Sequence, residues 1–213
     1  MNLSQVNADT KALVEQGHKL FQIHRFAENE CLHVARLERW AEFDINSAVI
    51  DLGSGTGEMA RIMNAIRPDL TFTLVNVSQF QLDYSDRTHN KICCDFLHIP
   101  VPDESFDAAM FCFAIGHEDI AEALKEAYRV LKNDGVLFIY DMVRISGNNT
   151  SMVDVEYEVH PKSVMDKVML GAGFTLDFYM EPSDTGDYGR GLFGDDFDRV
   201  FSGTIPAIWR LTK

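Results

Sequence analysis

A chain of 213 residues, 46% of them hydrophobic, is long enough to bury one sizeable core and short for two independent domains. With 33 acidic against 19 basic side chains the formal charge is −14, so the average field repels nucleic-acid phosphates and anionic membranes, and no run of Lys and Arg offers a local exception. The N-terminus has no basic start leading into an apolar run and no long uncharged stretch follows, so neither an export signal nor membrane insertion is expected.

The first 44 residues carry apolar positions at helical spacing, among them Leu13, Leu20, Phe21, Ile23, Phe26, Val34, Leu37 and Trp40, which predicts two or three helices as an N-terminal cap over residues 1–44. Residues 45–213 then alternate as one compact unit. "SAVIDLG" reads as a strand, "GEMARIMNAIR" as a helix stopped by Pro68, "LTFTLVNV" as a strand, and "SQFQLDYSDRT" as a helix opened by a Ser78 cap. "KICCDF" and "FDAAMFCFA" read as strands, "EDIAEALKEAYRVLK" as an amphipathic helix ending before the turn signal "NDG", and "GVLFIYDMV" as the next strand. "SVMDKVMLGAG" predicts a helix with a Gly-rich stop, followed by strands "FTLDFYM" and "IPAIWRLTK". Strands joined by helical crossovers demand a parallel α/β sheet with helices on both faces, whereas the last two strands, joined by a long irregular stretch, are expected to be antiparallel.

Cys31, Cys93, Cys94 and Cys112 show no CxxC spacing, and the simplest reading is reduced thiols in a cytoplasmic protein. The histidines add no compact HxxxH or HxH set, so no metal site is expected. Seven Asp/Glu fall within residues 177–198, read either as a solvated loop or as a rim that favours cationic or neutral ligands.

The loop Asp51-Leu52-Gly53-Ser54-Gly55-Thr56-Gly57 follows a strand and opens a helix, the place where ligands bind in open α/β sheets. It is neither of the common phosphate loops. A dinucleotide GxGxxG from Gly53 requires glycine where Glu58 stands, and a P-loop requires GK[ST] where the chain has Glu58-Met59-Ala60. "VIDLGSGTG" is instead similar to the first motif of class I S-adenosylmethionine-dependent methyltransferases, whose fold is a doubly wound, seven-stranded, Rossmann-like sheet with an antiparallel last strand. The resemblance implies that Asp51 helps hold the methionine end of S-adenosylmethionine while the backbone of Gly53, Ser54 and Gly55 approaches the amino acid and ribose.

Most such enzymes end the second strand with an acid for the ribose hydroxyls. "NVSQFQ" resembles instead the subset that includes cyclopropane-fatty-acid synthases and sterol or prenyl C-methyltransferases, with Asn76, Val77, Ser78 and Gln81 at matching spacing. Two carboxamides offer donors and acceptors, so Asn76 and Gln81 can jointly serve two hydroxyls. By the same resemblance Asp95 accepts from the adenine amino group, Phe96 offers its backbone nitrogen and ring, and Cys94 flanks the base. The plainer alternatives are a solvated helix start for Gln81 and an ordinary turn for Asp95.

Methyl transfer is an in-line displacement, so an acceptor must lie behind the methyl carbon, near the end of the fourth strand. There Cys112 and Phe113 lead into Ala114-Ile115-Gly116-His117. In the cyclopropane-synthase-like subset this region carries an Glu-His pair; His117 matches the histidine, while Gly116 occupies the place of the glutamate. His117 is the candidate general base, with helix capping as its alternative role. The expected function is methylation of a small, largely uncharged molecule, with a carbon acceptor favoured and oxygen or nitrogen open. A cofactor-binding partner protein without catalysis and a nicotinamide-dependent oxidoreductase are the competing readings.

Overall fold

The computed structural model describes residues 28–146, 157–182 and 203–213, with side chains of the first helix described from Val34 onward. The predicted helical stretches before residue 28, with His18, Phe21, His24, Arg25 and Phe26, therefore lie outside the described residues, as do residues 183–202, which hold most of the acidic segment. In chain order the elements are α1 (Glu28–Ala41), β1 (Ala48–Leu52), α2 (Glu58–Ile66), β2 (Thr71–Asn76), α3 (Gln79–Leu82), β3 (Asn90–Cys93) and β4 (Phe106–Cys112). A 3-10 turn, Ile115–His117, precedes α4 (Ile120–Val130), β5 (Leu131–Arg144), α5 (Lys162–Gly171), β6 (Thr175–Met180) and β7 (Thr204–Thr212).

The seven strands form one sheet in the order β3-β2-β1-β4-β5-β7-β6. Pairings from β3 through β5 are parallel, and β7 runs antiparallel to both β5 and β6, as expected. The period-two alternation of each strand splits its side chains between two cores. Ile50, Leu52, Phe111, Ile139 and Trp209 face α4 and α5, meeting Ala123, Leu124, Ala127, Met165 and Met169. Val49, Phe72, Leu74, Met110 and Phe138 face α1 and α2, meeting Val34, Leu37, Ala60 and Met63. Each large side chain so buried favours the fold by about 1.5–3 kcal/mol before conformational entropy is counted. Asp119 caps α4 by accepting hydrogen bonds from the amides of Ala121 (2.9 Å) and Glu122 (3.1 Å), which stabilises that helix start by about 1 kcal/mol.

Three local expectations are corrected. The helix predicted from Ser78 is only the four residues of α3, because Ser85 bonds back to Leu82 and Asp86 draws Thr88 into a tight turn. Asn133-Asp134-Gly135 does not end a helix before a separate strand: β5 already pairs at Leu131, and the turn bulges out before pairing resumes at Val136, with Asp134 at φ 61°. Trp40, placed on the apolar face by periodicity, is exposed and tilts against Phe178 of β6 with ring centres 5.7 Å apart.

Candidate active site

The chain leaves β1 for β2 and β3 on one side and continues from β4 to β5 on the other, so the carboxyl ends of β1 and β4 flank the crevice where connection direction reverses. The loop after β1 forms one wall. Gly53, Gly55 and Gly57 all adopt positive φ (77°, 55° and 75°), a conformation costing an L side chain about 1–2 kcal/mol. The amides of Gly53 and Ser54 both donate to the Val75 carbonyl at 2.9 and 3.0 Å, tying the loop to β2. A methyl group at Gly53 would lie 2.5 Å from the Ala114 Cβ, so the loops after β1 and β4 touch there, and one at Gly57 would meet Leu74 at 2.7 Å. Above Gly55 nothing among the described residues lies within 4 Å. The three glycines thus serve three ends: contact across the crevice, open space for a ligand, and packing of helix on sheet.

Asp51 sits one residue before the end of β1, 2% exposed, and burial raises its carboxyl from 3.8 to about 7. Its Oδ2 and the nearby Ser54 Oγ are buried without a hydrogen-bond partner. A desolvated carboxylate oxygen of this kind is costly unless a donor or cation reaches it. The ammonium of an amino-acid ligand supplies both, so these residues fit the methionine end of S-adenosylmethionine.

At the end of β2 the Asn76 amide donates to the Gln81 carbonyl oxygen at 2.7 Å and more weakly to the Gly55 carbonyl at 3.4 Å. Ser78 accepts from the Gln81 amide at 3.3 Å and so fixes the helix turn that presents the second carboxamide. The pairing leaves the Asn76 oxygen and the Gln81 nitrogen as complementary groups beside the glycine loop. Val77 follows, half-buried, its carbonyl accepting from the Cys93 thiol at 3.6 Å.

After β3 the Cys94 amide donates to the Asn76 carbonyl at 3.1 Å, which draws this turn toward the carboxamide pair, and burial pushes the Cys94 thiol up to about 11. Asp95 accepts from the Leu97 amide at 2.9 Å in a local turn. The Phe96 ring is 6% exposed and packs edge-on against Phe111 at 5.5 Å beneath the glycine loop. The ring expected to face a base is therefore mainly a core ring.

Opposite the glycine loop, Cys112 ends β4 with its thiol held well above the usual range by burial and then by the charges of Asp51 and Asp141. Phe113 stands at φ 52°, a strained conformation for an aromatic residue, secured by its amide donating to the Tyr140 carbonyl (2.9 Å) and by an edge contact with the Tyr140 ring at 4.7 Å. His117 ends the 3-10 turn, exposed, its ring perpendicular to that of Tyr157 at 4.7 Å. Gly116 explains the missing glutamate. A Cβ there would lie 2.3 Å from the Glu158 carbonyl and 2.5 Å from the Tyr157 ring, and the Glu158 amide donates to the Gly116 carbonyl at 2.7 Å.

Sequence reasoning missed Asp141. Buried at 2% exposure, it accepts from the amides of Ala114 (3.1 Å), Ile115 (3.3 Å) and Met142 (2.7 Å) and from the Tyr157 hydroxyl. Burial raises its carboxyl to about 6, with the four donors opposing the rise. The one signal was an acid inside the apolar run "GVLFIYDMV", since a buried charge in a strand requires partners.

Residues 50–139 match the family described as Methyltransferase domain, and the sheet order with its crevice resembles that of class I S-adenosylmethionine-dependent methyltransferases. Among individual proteins, the chain is 28% identical over 97 residues to the 25S rRNA (adenine(645)-N(1))-methyltransferase of Schizosaccharomyces pombe, covering 46% of this chain and 28% of that protein. It is 36% identical over 101 residues to the ubiquinone/menaquinone biosynthesis C-methyltransferase UbiE of Bartonella quintana, covering 42% and 39% respectively. The chain thus spans well under half the length of these curated relatives. The solved structure of geranyl diphosphate C-methyltransferase from Streptomyces coelicolor, in complex with Mg2+, geranyl-S-thiolodiphosphate and S-adenosyl-L-homocysteine, superposes with a TM-score of 0.75 at 14% identity, over 85% of this chain and 75% of that one. At that identity the likeness speaks for the fold.

Proposed function

We propose that the chain transfers a methyl group from S-adenosylmethionine to a small, largely uncharged organic acceptor, with carbon favoured and oxygen or nitrogen open. The observation that carries this reading is the crevice itself: a buried carboxylate oxygen lacking a partner, open space over Gly55 and a pre-paired Asn76–Gln81 carboxamide lie on one side, and a strained aromatic turn leading to His117 lies on the other. S-adenosylmethionine, when bound, supplies an electrophilic methyl on a sulfonium. In this reading Asp51 holds the ammonium, the backbone of Gly53, Ser54 and Gly55 lies along the amino acid and ribose, Asn76 and Gln81 share the sugar hydroxyls, and Val77 borders the base. Cys94, Asp95 and the Phe96 backbone border the adenine. Cys112 and Phe113 close the methyl end, and Phe113 and Tyr140 keep water from it. His117 takes the acceptor proton in the transfer step.

The formal charge of −14 and the carbon-methylating neighbours support a small acceptor over an RNA one, despite the rRNA-modifying relative. Incubating the protein with methyl-labelled donor and fractionated metabolites, then searching for a mass gain of one methylene, tests this. Replacing His117 with Ala is expected to slow transfer about 100-fold or more while the affinity for S-adenosylhomocysteine stays within about threefold. Unchanged turnover removes His117 from the chemistry, and tight cofactor binding with no labelled product from any fraction favours the partner-protein reading.

A further inference from the structure

The Asp141 carboxylate joins three parts of the chain far apart in sequence. It lies on β5; it receives the Ala114 and Ile115 amides from the turn after β4; and it receives the phenol of Tyr157. Tyr157 is 4% exposed, and its ring fills the volume that a side chain at Gly116 would occupy. The same ring stands perpendicular to the His117 imidazole at 4.7 Å with an interplanar angle of 88°. The backbone repeats the link, because Glu158 donates to the Gly116 carbonyl. Nothing in the cofactor crevice as described above requires this arrangement. A four-donor buried carboxylate is an expensive way to secure a turn, since ordinary apolar packing would hold it without desolvating a charge. What the carboxylate adds over apolar packing is direction: one tyrosine orientation, and with it one place for the neighbouring imidazole.

We propose that Asp141 and Tyr157 are positioning residues for the methyl-transfer site, the carboxylate anchoring the Tyr157 phenol and the Tyr157 ring fixing the His117 imidazole at the acceptor side. The assignment rests on the reading of His117 as the acceptor-side base. Tyr157 takes over the space left by the glutamate that the resembling subset carries before its histidine, so the aromatic wall and the glycine belong together. Ring contacts of this perpendicular kind are directional, and Tyr157 without its anchor turns about its side-chain bonds.

The test is nuclear magnetic resonance of the full chain with labelled histidine, the His117 signals being assigned by their loss in His117→Gln. In the unaltered protein the perpendicular Tyr157 ring displaces the His117 carbon-bound proton signals from their free-imidazole positions. The displacement is expected to vanish in Tyr157→Leu and to shrink by about half in Tyr157→Phe, where the ring remains without its anchor, and in Asp141→Asn, where the anchor loses its charge and one acceptor oxygen. Binding of S-adenosylhomocysteine, measured by calorimetry, is expected to stay within about threefold in Tyr157→Phe and Tyr157→Leu, separating orientation from cofactor binding. With an acceptor in hand, Tyr157→Phe is expected to lower kcat about tenfold with little change in the KM for S-adenosylmethionine. His117 signals unchanged in Tyr157→Leu, or unchanged in both Tyr157→Phe and Asp141→Asn, overturn the proposal. If His117→Ala instead leaves transfer intact while the signals move as expected, it is the base reading that falls.

Discussion

At the scale of single residues, the proposed role of Asp51 makes ligand binding depend on pH. Burial raises its carboxyl from 3.8 to about 7, so the apo fold carries no penalty from this group below the unfolded value and a growing one as pH climbs through about 7. A bound ammonium favours the ionised form, hence binding expels the proton. Affinity for S-adenosylhomocysteine is expected to rise about tenfold from pH 6 to pH 8, and calorimetry on Asp51→Asn should show weaker binding with a flattened profile. The glycines separate two effects by the space around them. Gly55→Ala has open space over it, so its cost to the apo protein is about 1 kcal/mol from the positive φ, while cofactor affinity should fall at least about tenfold. Gly53→Ala adds a collision with Ala114 and should destabilise the fold by roughly 2–4 kcal/mol in urea titrations.

At the scale of elements, Arg129 on α4 ties down the stretch after β3. Its guanidinium donates to the carbonyls of Ile99 and Val101 at 2.9 Å and pairs with Asp103 and Glu126, whose carboxylate in turn accepts from the Ile99 amide at 2.7 Å. A lysine cannot span this fork, so Arg129→Lys should cost about 1–3 kcal/mol and speed amide exchange through residues 95–103 while leaving the strands protected. The same level shows what the sequence made readable. Every strand from β1 to β7 stands near its predicted place because each is an apolar run bounded by turn residues, and α2 and α4 follow from amphipathic spacing with Pro68 and the Asn133-Asp134-Gly135 turn as punctuation. The crevice position and the Asn76–Gln81 pair were legible because both are local, set by a loop and one helix turn. The Asp141–Tyr157 contact was not, since a buried carboxylate meeting amides of another strand's loop leaves no trace in periodicity. The packing of the Phe96 ring on Phe111 was not legible either, because an aromatic just after a strand end reads the same whether it faces a core or a ligand.

At the scale of the whole molecule, the crevice lies at the junction of the two halves of the sheet, so ligand binding should stabilise the entire fold rather than one loop. With S-adenosylhomocysteine at about one hundred times its Kd the added stability is about 2.7 kcal/mol, a rise in Tm of roughly 5–10 °C for a chain of this size, and NAD at the same concentration should leave Tm unmoved. Differential scanning fluorimetry decides between them. The antiparallel β7 carries a different implication. It inserts between β5 and β6, with Trp209 entirely buried against the β6 neighbour Tyr179 at 5.2 Å. Among the described residues β6 therefore pairs only with a strand made after it, and stays unpaired until β7 reaches it. Until β7 docks, β5 also presents an open flank, so the folding chain is most exposed to edge-on association while the stretch between β6 and β7 is being laid down.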